Sequence, residues 1–235
     1  MNQLPVFKKN RGVSHSQTGL TLLEVTVTIV MMSVILMAMA PPLLISAATR
    51  VKLRRASQAR MLAQEEVNRV QGIMMRSRDK NLPTDASGNY IGIPPVSSAS
   101  NLNATASPSS IVNTYPSTIK KAQSVDVDQD GEADFFVQVF REQGALFAAG
   151  TAQCEPAIFN MGVRVYSILA EDNLGDLDTE KISLQFTNGL QGQTTNPMAV
   201  LQAEVSRSDR DFSLRAYEDY LAGSGVPSAC TSTSP

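Results

Sequence analysis

From Val25 to Thr49 the chain carries no ionisable side chain, a run about as long as a helix needs to cross a bilayer core of roughly 30 Å. The apolar sequence opens at Leu20, directly after Gly19, and holds a single acid, Glu24. A carboxylate at the centre of a membrane helix costs roughly 2.5–3.5 kcal/mol, so it needs a partner or a place near the headgroups. At 1.5 Å per residue Glu24 lies only about 6 Å past Leu20, which leaves both readings open. Pro41 and Pro42 remove two backbone donors and clash with the preceding turn, so the helix is expected to kink or unwind there.

Charge divides the chain unevenly behind a net value of −2. Residues 1–80 hold 12 Lys and Arg against 4 Asp and Glu, whereas residues 81–235 hold 8 against 18. The front part suits anionic membrane lipid and the back part does not suit a nucleic-acid backbone, so nucleic acid is not an expected partner. The one histidine, His15, precedes the apolar run, which leaves the rest of the chain without an imidazole base or zinc ligand. There is no Gly-Lys-Ser/Thr phosphate loop, Cys-x-x-Cys pair or Gly-x-Ser-x-Gly turn, so a non-enzymatic protein is expected. The two cysteines, Cys154 and Cys230, are either one long-range disulfide in an oxidising compartment or two thiols.

In chain order, residues 1–19 form a polar, basic leader with Lys8, Lys9 and Arg11, followed by a membrane helix over 20–49. Positive charge on the leader marks the cytoplasmic side, but Arg50, Lys52, Arg54 and Arg55 stand at the other end, so charge alone does not orient the helix. An amphipathic continuation is expected over 50–80, with Ala56, Ala59, Ala63, Val67, Val70 and Met74 spaced by three and four. Residues 81–118 are rich in Ser, Pro, Asn and Thr and read as a long loop with a short strand at its edges. Residues 119–222 read as a sheet domain, with strands expected at Phe135–Arg141, Phe159–Leu169, Lys181–Phe186 and Met198–Ser206. Asp209–Ala222 reads as a last strand or a short helix, and residues 223–235 as a tail. The fold class is α+β, with an antiparallel sheet laid against the long helix.

The run Asp126-Val127-Asp128-Gln129-Asp130-Gly131-Glu132-Ala133-Asp134 places acids at alternate positions around a glycine. Such a loop turns oxygens to one side and suits a hard cation, Ca²⁺, which takes six to eight of them. It departs from the twelve-residue EF-hand, whose last position would be Val137 instead of a bidentate Glu. It looks more like the shorter D-x-D-x-D-G-x-x-D loops of extracellular proteins. Asp126, Asp128, Asp130 and Asp134 are the expected side-chain ligands and Glu132 a backbone one; the alternative is a solvated acidic turn. A second cluster, Glu171 to Asp178, lacks the alternation and reads as a connection between strands.

Gly19 followed by Leu20-Thr21-Leu22-Leu23-Glu24-Val25, behind a basic leader with no apolar core of its own, resembles the processing site of type IV prepilins and type II secretion pseudopilins. The resemblance covers about a quarter of the chain and extends to a proline at Pro41. It implies cleavage after Gly19 by a prepilin peptidase, N-methylation of Leu20, and pairing of Glu24 with the amino terminus of a neighbouring subunit during assembly. It also implies an inner-membrane platform as partner, a cytoplasmic leader and a periplasmic domain. The segments Pro41–Val51, Arg54–Ala56 and Gln64–Arg69, and the acidic loop running into Phe135–Arg141, resemble pseudopilins of cyanobacterial hormogonium polysaccharide secretion. That likeness implies a filament that helps export a polysaccharide used in gliding. The other readings are a type II secretion or type IV pilus minor subunit serving adhesion or DNA uptake, and a membrane-anchored Ca²⁺-dependent binding module.

Overall fold

The computed structural model describes residues 21–76, 82–86, 88, 90–149, 153–182, 191–207, 217–218 and 220–222. The protein is α+β, with a 55-residue helix α1 (Leu22–Arg76) followed by a mostly antiparallel sheet. It divides into two compact units, Met1–Ala48 and Thr49–Pro235.

In the first unit, Thr21 caps the helix: its Oγ1 accepts the Glu24 N–H at 3.3 Å, and the acid three residues on stands in the first turn, where the helix dipole favours negative charge. Leu22–Met39 is a candidate membrane span with mean hydropathy 2.3 and none of its residues buried. Its hydroxyls are satisfied by the helix itself: Thr26 donates to the Leu23 carbonyl, Thr28 to that of Glu24 and Ser33 to that of Ile29. An apolar solvent therefore meets no unsatisfied hydroxyl along this stretch. Helical backbone continues through Pro41 and Pro42, so the expected unwinding is not observed. Helices survive a proline where neighbouring turns keep their own bonds.

In the second unit the helix is rich in strong helix formers and lays one stripe on the sheet. Ala59, Ala63, Val67, Val70 and Met74 are buried against Phe135, Val137, Val139, Phe159, Met161, Val163 and Val165, with Ala56 partly buried beside them. Each of the larger side chains contributes roughly 1.5–3 kcal/mol by burial. The part-buried flank of this stripe carries Glu66, which accepts from Arg69 Nε at 2.9 Å, and the Arg69 guanidinium lies 4.1 Å over the Tyr115 ring.

The sheet comprises β1 (Ser110–Val112), β2 (Lys121–Val125), β3 (Phe135–Arg141), β4 (Ala145–Ala149), β5 (Gln153–Ser167) and β6 (Ala199–Ser206). The long β5 is its centre, with β3 and then β4 along one side and β6 along the other, all antiparallel. At the edge, β1 runs parallel to β2, contrary to the uniformly antiparallel order expected. It is three residues long, and its link to β2 carries Tyr115, which packs on the helix-side core. The expected strand Phe135–Arg141 is found with those bounds, and Met198–Ser206 begins one residue later. The one expected from Phe159 begins earlier, at Gln153, and gives way to a 3₁₀ turn at Ile168–Asn173. Lys181 and Ile182 are not in a strand, and the remainder of that expectation lies outside the described residues. Residues 217–218 and 220–221 are helical, as one of the two readings of that segment required.

The loop over 81–118 is more organised than its composition suggests. Its part around Leu102–Ala106 lies over the sheet face opposite the helix, with Arg164 buried beneath it, whereas Leu82, Ile93 and Tyr115 pack in the helix-side core. The Arg164 guanidinium donates to the carbonyls of Thr105 (2.7 Å), Asn103 (3.0 Å) and Leu102 (3.3 Å), closing the 3₁₀ turn Leu102–Ala104. Gln138 Nε2 donates to the carbonyls of Ala106 and Ile119, both at 2.7 Å. Burial lowers the Arg164 pKa from its ordinary value, with the nearby Tyr166 opposing the shift.

Candidate functional site

Between β2 and β3 the acidic loop is folded by its own carboxylates. Asp126 accepts the Gln129 N–H on Oδ1 (2.6 Å) and the Gly131 N–H on Oδ2 (2.9 Å). Asp130 accepts the Glu132 N–H at 2.8 Å, and Asp134 Oδ2 accepts that of Val127 at 3.0 Å. Gly131 has φ +95° and Gln129 φ +62°, so two left-handed residues turn the chain tightly enough to gather the acids. The register of β2 with β3, Val125 opposite Phe135, fixes both ends.

One carboxylate oxygen each from Asp126, Asp128 and Asp130 lies within 4.8 Å of the others. Opposed ligands of a Ca²⁺ ion, at 2.3–2.6 Å from it, stand roughly 4.6–5.2 Å apart. The spacing and the all-oxygen donor set therefore fit a hard cation. Asp134 is not in this group; its carboxylate closes the loop through Val127. Glu132 contributes its N–H to Asp130, and its expected carbonyl ligand is one more oxygen that the turn could add.

The loop gathers negative charge at an energetic cost. The Asp128 carboxyl is raised above its ordinary value by desolvation and then by the charges of Asp130 and Asp134. A raised folded-state carboxyl pKa favours the fold below the unfolded pKa, and that contribution is lost as pH rises through the folded pKa. A bound cation removes the repulsion. At a dissociation constant of about 10⁻⁴ M, near those of extracellular modules, a hundredfold excess of Ca²⁺ stabilises the fold by about 2.7 kcal/mol. The expected result is a higher melting temperature with Ca²⁺ at pH 7, a smaller rise at pH 4, and none in Asp126→Asn/Asp128→Asn. Calorimetry showing no heat at millimolar ion would remove the site.

The remaining expected residues fall elsewhere. Glu24 stands in the first helical turn, with no side-chain partner for its carboxylate among the described residues. Gly19, Leu20 and Cys230 lie outside the described residues, and Pro41 lies within α1. Cys154 is disulfide-bonded, and Tyr90 donates to its carbonyl at 2.6 Å. The Glu171–Asp178 cluster occupies a 3₁₀ turn and the bends after it, in the connection from β5 to β6.

Two polar clusters escaped the sequence reading. Glu155, fully buried, pairs with buried Arg207 at 2.5 Å and accepts the Leu82 N–H at 2.9 Å. Tyr220 donates to Glu142 at 2.6 Å and accepts from Asn160 Nδ2 at 2.6 Å, tying the last described turn to the sheet. Burial and the Glu142 carboxylate push the Tyr220 phenol up to about 12. The partners lie 52 and 78 residues apart, and no local pattern announces them.

No family model, curated protein or solved structure matches this chain.

Proposed function

We propose that the protein is a non-enzymatic, pilin-like subunit, cut after Gly19 and assembled through its apolar helix into a periplasmic pseudopilus. One observation carries this reading. The helix from Leu22 exposes apolar side chains on every face, Leu22 at 83% and Met37 at 79%, while Glu24 is the one ionisable group in its first turns. Such a surface needs lipid or other helices around it, and a carboxylate within it needs a cation. The new amino group of Leu20 on a neighbouring copy is a cation of the right kind. A sheet domain built on the distal part of the same helix resembles the pilin plan.

Within this reading, the closer resemblance assigns the filament to polysaccharide export for gliding, with the prepilin peptidase and an inner-membrane platform as partners. Type II secretion or a type IV pilus is the alternative destination, and the acidic domain speaks against DNA uptake. A second reading, a membrane-anchored Ca²⁺-dependent module, is favoured by the clustering of Asp126, Asp128 and Asp130.

Mass spectrometry of protein from native membranes separates the two. The pilin reading expects a mature chain beginning at N-methylated Leu20, and Gly19→Leu is expected to leave the leader attached. Glu24→Ala is expected to permit cleavage while reducing filament incorporation at least tenfold. A chain that still begins at Met1 is the result the anchored module requires.

A further inference from the structure

We propose that Arg50, Arg54 and Arg55 form a collar on the helix that gathers anionic phospholipid headgroups around the membrane span. This rests on membrane insertion of the apolar helix and is independent of cleavage or assembly. From Val25 to Thr49 the sequence offers 25 residues without charge, about 37 Å of helix at 1.5 Å per residue against a hydrocarbon core of roughly 30 Å. The first charges at that end of the run thus fall at the depth of the headgroups.

The burial of this segment fits the same environment. Arg50, Arg54 and Arg55 are exposed, and so are Val51 (58%) and Leu53 (53%) between them. The stripe that packs on the sheet begins only at Ala56 and Ala59. Arg50, Val51, Leu53, Arg54 and Arg55 therefore interleave basic and large apolar side chains that the protein leaves exposed, with Lys52 partly buried among them. That pattern suits an interface where alkyl stems lie among acyl chains and guanidinium groups reach phosphate. The three arginines form no ion pair with a carboxylate among the described residues, whereas Arg69, farther along, is held by Glu66 and Tyr115. Guanidinium donors match phosphate oxygens two at a time.

The chain has no tryptophan, so Leu53→Trp supplies a single fluorescent reporter inside the collar. The full chain carrying it is reconstituted into phosphatidylcholine vesicles containing a fixed minor fraction of brominated lipid, either phosphatidylglycerol or phosphatidylcholine. Each cation near an anionic surface favours it by about fivefold. Quenching by the brominated phosphatidylglycerol is therefore expected to exceed that by phosphatidylcholine at least about twofold, with the excess falling as salt is raised. Arg50→Gln/Arg54→Gln/Arg55→Gln, which leaves Lys52 in place, is expected to remove most of the excess. Equal quenching in the unsubstituted collar, with the protein floating with the vesicles, overturns the proposal alone. Failure to float overturns the membrane reading and the collar together. An excess that appears only once Asp126→Asn/Asp128→Asn/Asp130→Asn is introduced assigns the arginines to the acidic loop of a second copy and likewise overturns it.

Discussion

Glu155→Ala is expected to cost the sheet domain roughly 3–5 kcal/mol, because it leaves Arg207 buried without the carboxylate that now stands 2.5 Å away. The loss extends to the main chain, since Glu155 also accepts the Leu82 N–H, the point at which the chain after the helix returns to the sheet. For a unit of this size that corresponds to a fall of about 10 °C or more in melting temperature. Thermal unfolding of the fragment from Thr49 onward measures it. The double variant Glu155→Ala/Arg207→Met is expected to regain part of the loss, because removing both charges leaves no uncompensated ion. Additive losses in the two single variants would show that the pair is not coupled.

Gly144→Ala is expected to be as damaging for a different reason. Gly144 turns the chain from β3 into β4 at φ +66°, and a Cβ there would lie 2.0 Å from the Ile158 carbonyl oxygen and 2.6 Å from the Phe159 Cβ. Neither neighbour can yield cheaply, because both belong to β5, which is hydrogen-bonded on either side. A loss of about 3 kcal/mol or more in chemical denaturation is expected. Gly131→Ala isolates the conformational part: φ is +95° but no atom lies within 4 Å of the added methyl. It is expected to cost only about 1–2 kcal/mol. Equal costs at the two positions would rule out the clash with β5 as the cause.

The sequence was most legible where the physics is periodic or local. The stripe of Ala59, Ala63, Val67, Val70 and Met74 repeats at helical spacing and is buried as a stripe. Phe135–Arg141 is apolar enough to be covered on both faces, and its seven residues are all buried. The acidic loop announces its turn through alternate Asp residues and Gly131, and three of its carboxylates meet. The start of β5 was illegible because Glu155 and Pro156 look like loop residues; the partner that makes Glu155 tolerable lies at Arg207. The turn at Leu102–Ala104 likewise hides in a polar stretch, while its burial depends on backbone carbonyls meeting the guanidinium of Arg164, some sixty residues on. Strands β1, β2 and β4 are three to five residues long, too short for alternation to stand out. Thr21 with Glu24 carries a capping pattern that the apolar run concealed.

The place of β5 between β3 and β6 also sets an order of events at the ribosome. Its outer partner spans Ala199–Ser206 and its buried counter-ion is Arg207, so the sheet is incomplete until nearly the whole chain has been translated. At about 5–20 residues per second, emergence of Arg207 trails that of the greasy segment ending at Met39 by on the order of ten seconds. Throughout that interval the nascent chain displays its stickiest stretch with no folded domain behind it. Whatever covers the apolar segment therefore meets it before the sheet is complete.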